Sequence, residues 1–431
     1  MSYKDTLNLP KTAFPMKADL ARREPEILKF WEKIDHYRLV LEKTKDGDRF
    51  VLHDGPPYAN GDIHLGHTLN KVLKDVIVKY KSMRGYFAPY VPGWDCHGQP
   101  IEYEVEKRLG PKKGEMATEE FRRLCRDYAE RFVARQKNQF KRLGIRGDWE
   151  KPYLTFDPEY EATNVRVFGS LFEKGMISRG KKPIHWCHHC ETALAEAEIE
   201  YNDEESPSVY VRFPVTRPLP FLKGEPDSVS VVIWTTTPWT LPANVAIAVH
   251  PDLSYAAVAT GSEILIVAED LVADLMSLWG FSDFDVLAKV EGRRLAGVDA
   301  VSPLSGAPSE VVVADFVDLN QGTGCVHIAP GHGEEDYQLG LKHGLAAPMP
   351  VDRKGFLTEQ AGRFAGAHIS AANDHIVDFL REEKALVASS TVSHSYPHCW
   401  RCKKPVIFRA TEQWFVRMDE GHLRETALKS I

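Results

Sequence analysis

A chain of 431 residues, 43% hydrophobic and 27% charged, has room for two or three cores of its own and the composition of an ordinary soluble globular protein. Its formal net charge of −7 does not announce a nucleic-acid binder, although a whole-chain balance averages over local patches. No run of roughly eighteen apolar residues occurs and Met1-Ser-Tyr-Lys-Asp5 carries no apolar segment, which speaks against a membrane span or a signal peptide and for a cytoplasmic location.

Residues 1–47 form an approach segment with helical periodicity over 24–41 (Ile27, Phe30, Trp31, Ile34), expected to pack on the domain that follows. Phe50-Val-Leu-His53 then reads as a strand, and Gly55-Pro-Pro and Asn60-Gly61 as a tight connection into a helix from about His64 to Met83. That helix is amphipathic: Leu69, Val72, Leu73, Val76, Ile77 and Tyr80 make its apolar stripe, with Lys71, Lys74, Asp75 and Lys79 largely on the other face. A strand running into a helix N-terminus leaves free N–H groups and the positive dipole end for a phosphate chain. His64 and His67, at i and i+3, share one face of the first turn and suit donation to phosphate oxygens. An isolated pair of this kind is more often two surface histidines, so the strings around it decide.

Tyr86–Val91 reads as a second strand, confined to an end or edge by Pro89 and Pro92. Asp95 follows it at the position where α/β folds place ligand-binding groups, or else caps a turn. Thr118–Leu143 is a strong amphipathic helix capped by Thr118 and stopped at Gly144, with Phe121, Leu124, Tyr128, Phe132 and Phe140 as core, and a further helix covers about 158–174. Lys112-Lys113, Lys181-Lys182 and Arg401-Cys-Lys-Lys404 are short basic patches of the kind that usually form solvated faces.

Four of the seven cysteines stand in two pairs, Cys187-His-His-Cys190 and Cys399-Trp-Arg-Cys402. In a cytoplasmic chain two such knuckles argue for a tetrahedral sulfur site for Zn²⁺, structural because no coordination position stays open. His188, His189 or His398 are possible substitute ligands, and four reduced cysteines without metal are the plain alternative. Between the pairs, from about 203 to 388, short strands punctuated by Pro and Gly (208–213, 228–234, 245–249, 254–258, 264–267, 311–314) suggest a compact β-barrel-like domain. Two of its loops concentrate polar groups, Thr235-Thr-Thr-Pro-Trp-Thr240 and the glycine-lined 322–336 stretch with His327 and Asp336, although a threonine run alone is ordinarily β-propensity.

His-Leu-Gly-His67 with DGPPYANG (54–61), YVPGWDCHG (90–98), PIE (100–102), TTTPWTLPAN (235–244), GTGCVHIAPGHG (322–333) and RATEQWF (409–415) resembles the class I aminoacyl-tRNA synthetases, specifically their isoleucyl branch, over nearly the whole chain. The resemblance implies an α/β fold: a Rossmann-like nucleotide-binding catalytic domain, incomplete, with an inserted β-barrel-like editing domain and a zinc-binding arm. Its parts would be a helical extension (1–47), the first catalytic half (48–180), the arm (181–202 and 389–408), the editing domain (203–388) and a return to the catalytic domain (409–431). It implies Mg²⁺-assisted activation of L-isoleucine with ATP and transfer to tRNA-Ile by a monomer free of membranes. His64 and His67 would stabilise charge; Pro56, Tyr58, Asn60, Gly66, Asp95, His97 and Gln99 would bind amino acid and ATP. Asp95 would hold the α-ammonium, and Gln99 stands where the family usually has Leu.

Valine lacks one methylene of isoleucine, and in the established illustration of this limit a hydrophobic pocket rejects it by only ~1–3 kcal/mol. The resemblance therefore implies hydrolytic editing of valyl-tRNA by water, with Thr236 and Thr237 at the ester, Asn244 nearby, His327 orienting the ribose or the water, and Asp336 binding the α-ammonium. No KMSKS string occurs, so the expectation is an N-terminal portion that adenylates poorly alone. A free-standing editing hydrolase and a non-catalytic, zinc-stabilised tRNA-binding relative remain the alternative readings.

Overall fold

The chain divides into two units, Met1–Glu173 and Lys174–Ile431. The computed structural model describes residues 3–7, 17–110, 116–222, 228–261 and 263–431; the Lys112-Lys113 patch lies outside them.

In the first unit the periodic segment is two helices, α1 (Leu20–Lys33) and α2 (His36–Thr44), not one. Asp35 breaks the run in a left-handed conformation (φ 48°), its carboxylate accepting from Arg38 Nε, and Trp31 stacks on His36 across the break. The Tyr37 hydroxyl clips α2 to the core, donating to Tyr90 O (3.1 Å) and accepting from Tyr90 N–H (3.0 Å).

The two expected strands are reduced to fragments. Residues 50–53 form no ladder; Arg49 bridges Phe87 and Tyr58 bridges Asp95, both parallel. The second strand is displaced from 86–91 to β1 (Gly93–Trp94), paired in parallel with β2 (Tyr153–Leu154). Prolines explain this: 56, 57, 89 and 92 remove ladder donors where regular strands would need them. Around these pairings lie α3 (Leu65–Met83), α4 (Gln99–Leu109), α5 (Thr118–Arg142) and α6 (Pro158–Glu173). Thr118 opens α5 but does not cap it; Ala117 holds the cap position without a side-chain bond. Trp94, Tyr90, Phe140 and Ile101 centre the core.

Helix α3 faces the opposite way to its pattern. Its buried residues are Lys71, Asp75, Val78 and Ser82, whereas Leu69 (63% exposed), Leu73 (55%), Val76 (57%) and Tyr80 (55%) point outward. Burial of charge is tolerated because each charge has a partner: Lys71 and Lys74 pair with Asp54, and Asp75 pairs with Lys79 and accepts from Arg146 N–H.

The second unit opens with an antiparallel three-stranded sheet of β3 (Ile177–Cys187), β4 (Thr192–Ala193) and, from the far end of the chain, β15 (Ile407–Val416). A long ribbon of β5 (Ile199–Pro214) against β14 (Leu386–Cys399) leads into a mixed sheet. That sheet adds β6 (Val229–Thr235), β7 (Ala246–Val249), β8 (Ser254–Thr260), β9 (Glu263–Ala268), β10 (Asp285–Glu291), β11 (Asp299–Val301), β12 (Pro308–Val313) and β13 (Cys325–Ile328). Its path runs β10-β8-β9-β6-β13-β7-β12-β11, and the end of β5, paired with β6, is bridged back to β11 at Val215–Ala300, with Thr216 N–H donating to Asp299 O (2.9 Å), so β5, β6, β13, β7, β12 and β11 form a barrel-like ring. Helices α7 (Val272–Trp279) and α9 (Ile369–Glu382) bury apolar faces on it, α8 (Glu334–His343) follows β13, and α10 (Leu423–Lys429) ends the chain. All six short strands expected between 203 and 388 are present, five with boundaries shifted by a few residues and the one expected at 208–213 as the end of the longer β5, which begins at Ile199. Among the described residues no helix is long and apolar enough to cross a membrane.

Candidate functional site

Residues 54–63 of the first unit are shaped from both sides. Below them the fully buried Asp54 carboxylate binds Lys71, Lys74 Nζ (2.8 Å) and Gly93 N–H (3.0 Å), while its backbone carbonyl accepts from the Tyr153 hydroxyl. Burial acts to raise the Asp54 pKa, but the two ammonium groups and the amide overcome it and hold the carboxyl below its ordinary range. Gly93 is required here because a Cβ would fall 2.1 Å from the Tyr153 ring. From the other side α5 presents a polar row. Buried Gln136 donates to Tyr58 O (3.1 Å) and Gly61 O (3.0 Å) and accepts from Trp94 Nε1 (2.9 Å). Gln139 accepts from Ile63 N–H and donates to Asp62, and Arg135 pairs with Asp62.

That loop delivers His64 as the N-cap of α3. Gly66 N–H donates to His64 Nδ1 (3.1 Å) and His64 N–H donates to His67 Nδ1 (3.3 Å), a reciprocal cap that stacks the two rings 3.9 Å apart. Because both Nδ1 atoms accept backbone protons, each neutral ring carries its proton on Nε2. His67 is held below the ordinary histidine range by partial burial, reinforced by His64 and Lys71. The glycine between them has a steric cause: a Cβ on Gly66 would stand 2.9 Å from His64 Cε1.

Asp95 is joined to the same loop through backbone, Ala59 N–H to Asp95 O and Asp95 N–H to Pro57 O, so Tyr58 and Asp95 lie side by side. Asn60 donates to Pro100 O (3.1 Å) and accepts from Tyr128 (2.7 Å), tying the loop to the start of α4. Pro56 is half-buried in the loop. His97 turns away: its ring meets Thr155 O (3.1 Å) and Glu161 (3.2 Å) and lines a cavity of about 390 Å³ that includes none of His64, His67, Tyr58 or Asp95. Gln99 opens α4 with a buried Nε2 that has no partner, and the Cys96 thiol is pushed up to about 12 by burial.

In the second unit a cavity of about 370 Å³ is lined by Trp234, Thr236, Thr323, His327 and Asp336 among others. Thr237 reaches it indirectly. The Thr240 hydroxyl donates to Thr237 O (2.8 Å), so it accepts from His327 Nε2 (3.0 Å), which fixes the proton on Nε2 and leaves Nδ1 a buried lone pair without a partner. Burial, with His332 nearby, pushes His327 down to about 4, so the ring is neutral near pH 7. Asp336 sits in the first turn of α8, accepts from Ala329 N–H (2.8 Å) and is pushed up to about 6 by burial. Asn244 lies outside the cavity lining, on the turn into β7, which pairs with β13, the strand carrying His327; its Nδ2 donates to Ala246 O. Gln136 escaped the sequence reading, although a polar residue inside the apolar stripe of α5 was the available signal, and Thr240 and Asp54 were named there only as members of their strings, with no role of their own.

The four cysteine sulfurs lie within 4.8 Å of one another, with Cys187 and Cys402 Sγ 3.5 Å apart. This matches the spacing of a tetrahedral sulfur set around one ion. Donation from Cys187 and then Cys190 holds Cys399 well below the ordinary thiol range. Of the histidines, His398 contacts Tyr396 O (2.8 Å) and Glu204, while His188 packs against His189 and His368 with its Nδ1 buried and unpartnered. The remaining basic patches are ion-paired, Lys182 with Glu334 and Lys403 with Glu200.

Residues 26–431 match the family model of class I tRNA synthetases (I, L, M and V). The isoleucine–tRNA ligase of Caldanaerobacter subterraneus subsp. tengcongensis is 55% identical, the match covering 100% of this chain and 46% of the relative. That of Moorella thermoacetica is 54% identical with the same coverage. A solved chain described as "The crystal structure of GlLeuRS-CP1" is 16% identical, with 42% of this chain and 99% of that one covered at a TM-score of 0.36. The chain thus spans about half the length of the curated relatives it matches.

Proposed function

The chain belongs to the class I tRNA synthetase family of the I, L, M and V enzymes, and from that footing we propose that it is the part of an isoleucine–tRNA ligase that handles the ATP phosphates and edits misacylated tRNA. The observation that carries the first half is the stacked pair His64/His67 at the N-terminus of α3, each presenting an Nε2 donor. An isoleucine carboxylate oxygen attacks the α-phosphorus of ATP, the bond to the departing pyrophosphate breaks, and the two Nε2–H groups with the helix N-terminus take up the charge that develops on phosphate oxygens. The tRNA ribose hydroxyl then attacks the adenylate carbonyl and AMP leaves. Asp95, beside Tyr58, is the carboxylate assigned to the α-ammonium, and Pro56, Asn60 and Gly66 shape that pocket; the geometry gives no such support to His97 or Gln99. Among the described residues the cysteines are the only clustered ligand set, so Mg²⁺ fits as a companion of the ATP phosphates, where it neutralises charge.

The second half rests on the cavity that unites Thr236, His327 and Asp336. With the Asp336 carboxylate on the valine ammonium and His327 Nδ1 orienting the water or the ribose by accepting a hydrogen bond, water attacks the ester carbonyl and its proton passes to the departing ribose oxygen. The ester bond breaks, valine departs and the ribose hydroxyl is restored. Thr237 acts through Thr240 on His327, and Asn244 positions the strand pair beneath. The four cysteines fit a structural Zn²⁺ holding the arm. We further assign tRNA-Ile as the nucleic-acid partner, a monomeric state and the cytoplasm.

Two assays separate the halves. The purified chain given Val-tRNA-Ile should release valine, unaffected by His64→Ala and abolished by Asp336→Ala. Isoleucine-dependent pyrophosphate exchange should be near background for the chain and appear when it is joined to the remainder of the Caldanaerobacter relative, then fall by about 10²–10³ with His64→Ala. Exchange by the joined protein that is indifferent to His64 would refute the first half; valine release that survives Asp336→Ala would refute the second.

A further inference from the structure

We propose that the cavity between α1, α2 and the 144–150 loop of the first unit binds a small organic oxyanion, a carboxylate or a phosphate monoester carried on a flat apolar body, with Arg146 as its anchor. The cavity measures about 700 Å³, and its lining includes none of His64, His67, Tyr58 or Asp95, so the inference is independent of the role given to those residues. The loop is built to turn a cation inward. Gly144, in a left-handed conformation (φ 75°), stops α5, and Ile145 and Trp149 bury on either side of Arg146. The Arg146 main chain is pinned by its N–H donating to Asp75 Oδ1 (2.9 Å), and the residue lines the cavity while only 9% exposed.

A guanidinium so placed ordinarily has a carboxylate of its own. That of Arg146 has none: Nε and Nη2 are buried without a hydrogen-bond partner. Asp75, the carboxylate whose charge Arg146 feels most, already accepts from the Arg146 N–H and pairs with Lys79. Lys79 in turn is engaged by Asp75 and by Gly144 O (3.0 Å). One carboxylate thus answers two cations, and neighbouring His36 stays below the ordinary histidine range, by burial first and then by Arg146 and Lys79. An uncompensated buried charge is costly, which marks a site whose counterion is a ligand.

The chemistry of the ligand follows from the free atoms and the walls. Nε and Nη2 lie along one edge of the planar guanidinium, the edge that grips two oxygens of a carboxylate or a phosphate at once. That edge is sealed from solvent as it stands, and a turn of the group brings it into the cavity it borders; the two charge-assisted bonds formed there favour the turn. Trp31, stacked on His36, shares the lining with Leu28, Leu41 and Ile145, and these walls suit a flat apolar body. An inorganic ion would fill little of the space and leave the walls bare, so the organic anion is the better fit.

The test titrates the full chain calorimetrically with benzoate, phenyl phosphate and inorganic phosphate, and with benzamide and phenol as the uncharged counterparts of the two aromatic anions. At least one aromatic anion should bind with a Kd below about 1 mM, and inorganic phosphate and the uncharged counterpart should each bind about tenfold or more weakly, since each keeps only one of the two determinants. The tighter of benzoate and phenyl phosphate assigns the head as carboxylate or phosphate. Arg146→Gln should weaken that probe about tenfold or more, and the variant without ligand should melt no lower than wild type, because the substitution removes an unpaired charge. No binding by either aromatic anion, an uncharged counterpart or inorganic phosphate that binds as well, or equal binding by Arg146→Gln would each overturn the proposal. So would a marked fall in the melting temperature of the variant, which would make the guanidinium a structural support. Binding that disappears once the chain is joined to the remainder of the Caldanaerobacter relative would overturn it as well, by giving that edge to a carboxylate of the polypeptide.

Discussion

Asp54 is the residue on which the first unit turns, because one carboxylate with no exposed surface answers two lysines and an amide. Asp54→Asn should therefore destabilise this unit by roughly 3–5 kcal/mol, the usual consequence of leaving a buried ammonium unpaired. The sign with pH follows from its lowered pKa. The contribution is present above the unfolded carboxyl value near about 4 and is lost as pH falls through the lower folded value. Denaturant unfolding at pH 7 and pH 3 checks both statements; a variant as stable as wild type at pH 7 would remove Asp54 from this role. Asp336 runs the other way. Its carboxyl is raised to about 6 by burial, so the carboxylate needed to hold an ammonium is lost below that pH. Hydrolysis of Val-tRNA-Ile, followed as kcat/KM, should rise about tenfold per pH unit up to about 6, level off, and fall again above about 8 as the substrate ammonium deprotonates. His327, already neutral above about 4, adds no limb in that range. A limb near 6 that survives Asp336→Asn and vanishes with His327→Asn would reverse the assignment.

Helices were far more legible than the strands that position the site. The ranges of α3 and α5 follow from apolar spacing with start and stop signals at their ends, because that spacing survives whatever the helix packs against. The orientation of α3 was not legible, since periodicity tells which face is apolar and not which face finds its partners first. The strands around Asp95 failed for a different reason: Pro-rich connections leave only single parallel bridges and one two-residue parallel pair, and those are fixed by distant residues. Gln136 shows what long-range order demands, holding two loop carbonyls and an indole from the middle of α5. Gln136→Leu preserves volume and helix propensity but leaves these three groups unpaired, and should cost about 2–3 kcal/mol. Faster amide exchange across residues 58–63, with α5 itself still protected, is the specific expected signature; protection unchanged in the loop would show that Gln136 does not hold it.

At the scale of the molecule, the motifs lie in order along the sequence but the sites do not. His64 and His67 belong to a unit with its own core, while the cavity of His327 and Asp336 and the cysteine cluster belong to the other. The cysteine site was legible because CxxC geometry is local, yet its closure joins residues 215 positions apart, Cys187 and Cys402, through β3, the β5–β14 ribbon and β15. Closing so long a loop with a metal removes much of the freedom of the unfolded chain, so the ion should act on the second unit and not on the first. The chain as isolated should contain about one equivalent of Zn²⁺ by metal analysis. A strong chelator should lower the unfolding transition of the second unit, and Cys190→Ser should lower it similarly. The transition of the first unit, reported by Trp94 and Trp149 in its core, should stay where it was. A zinc content well below stoichiometric, or a chelator that shifts both transitions together, would show either that the four thiols stand reduced and empty or that the two cores unfold as one.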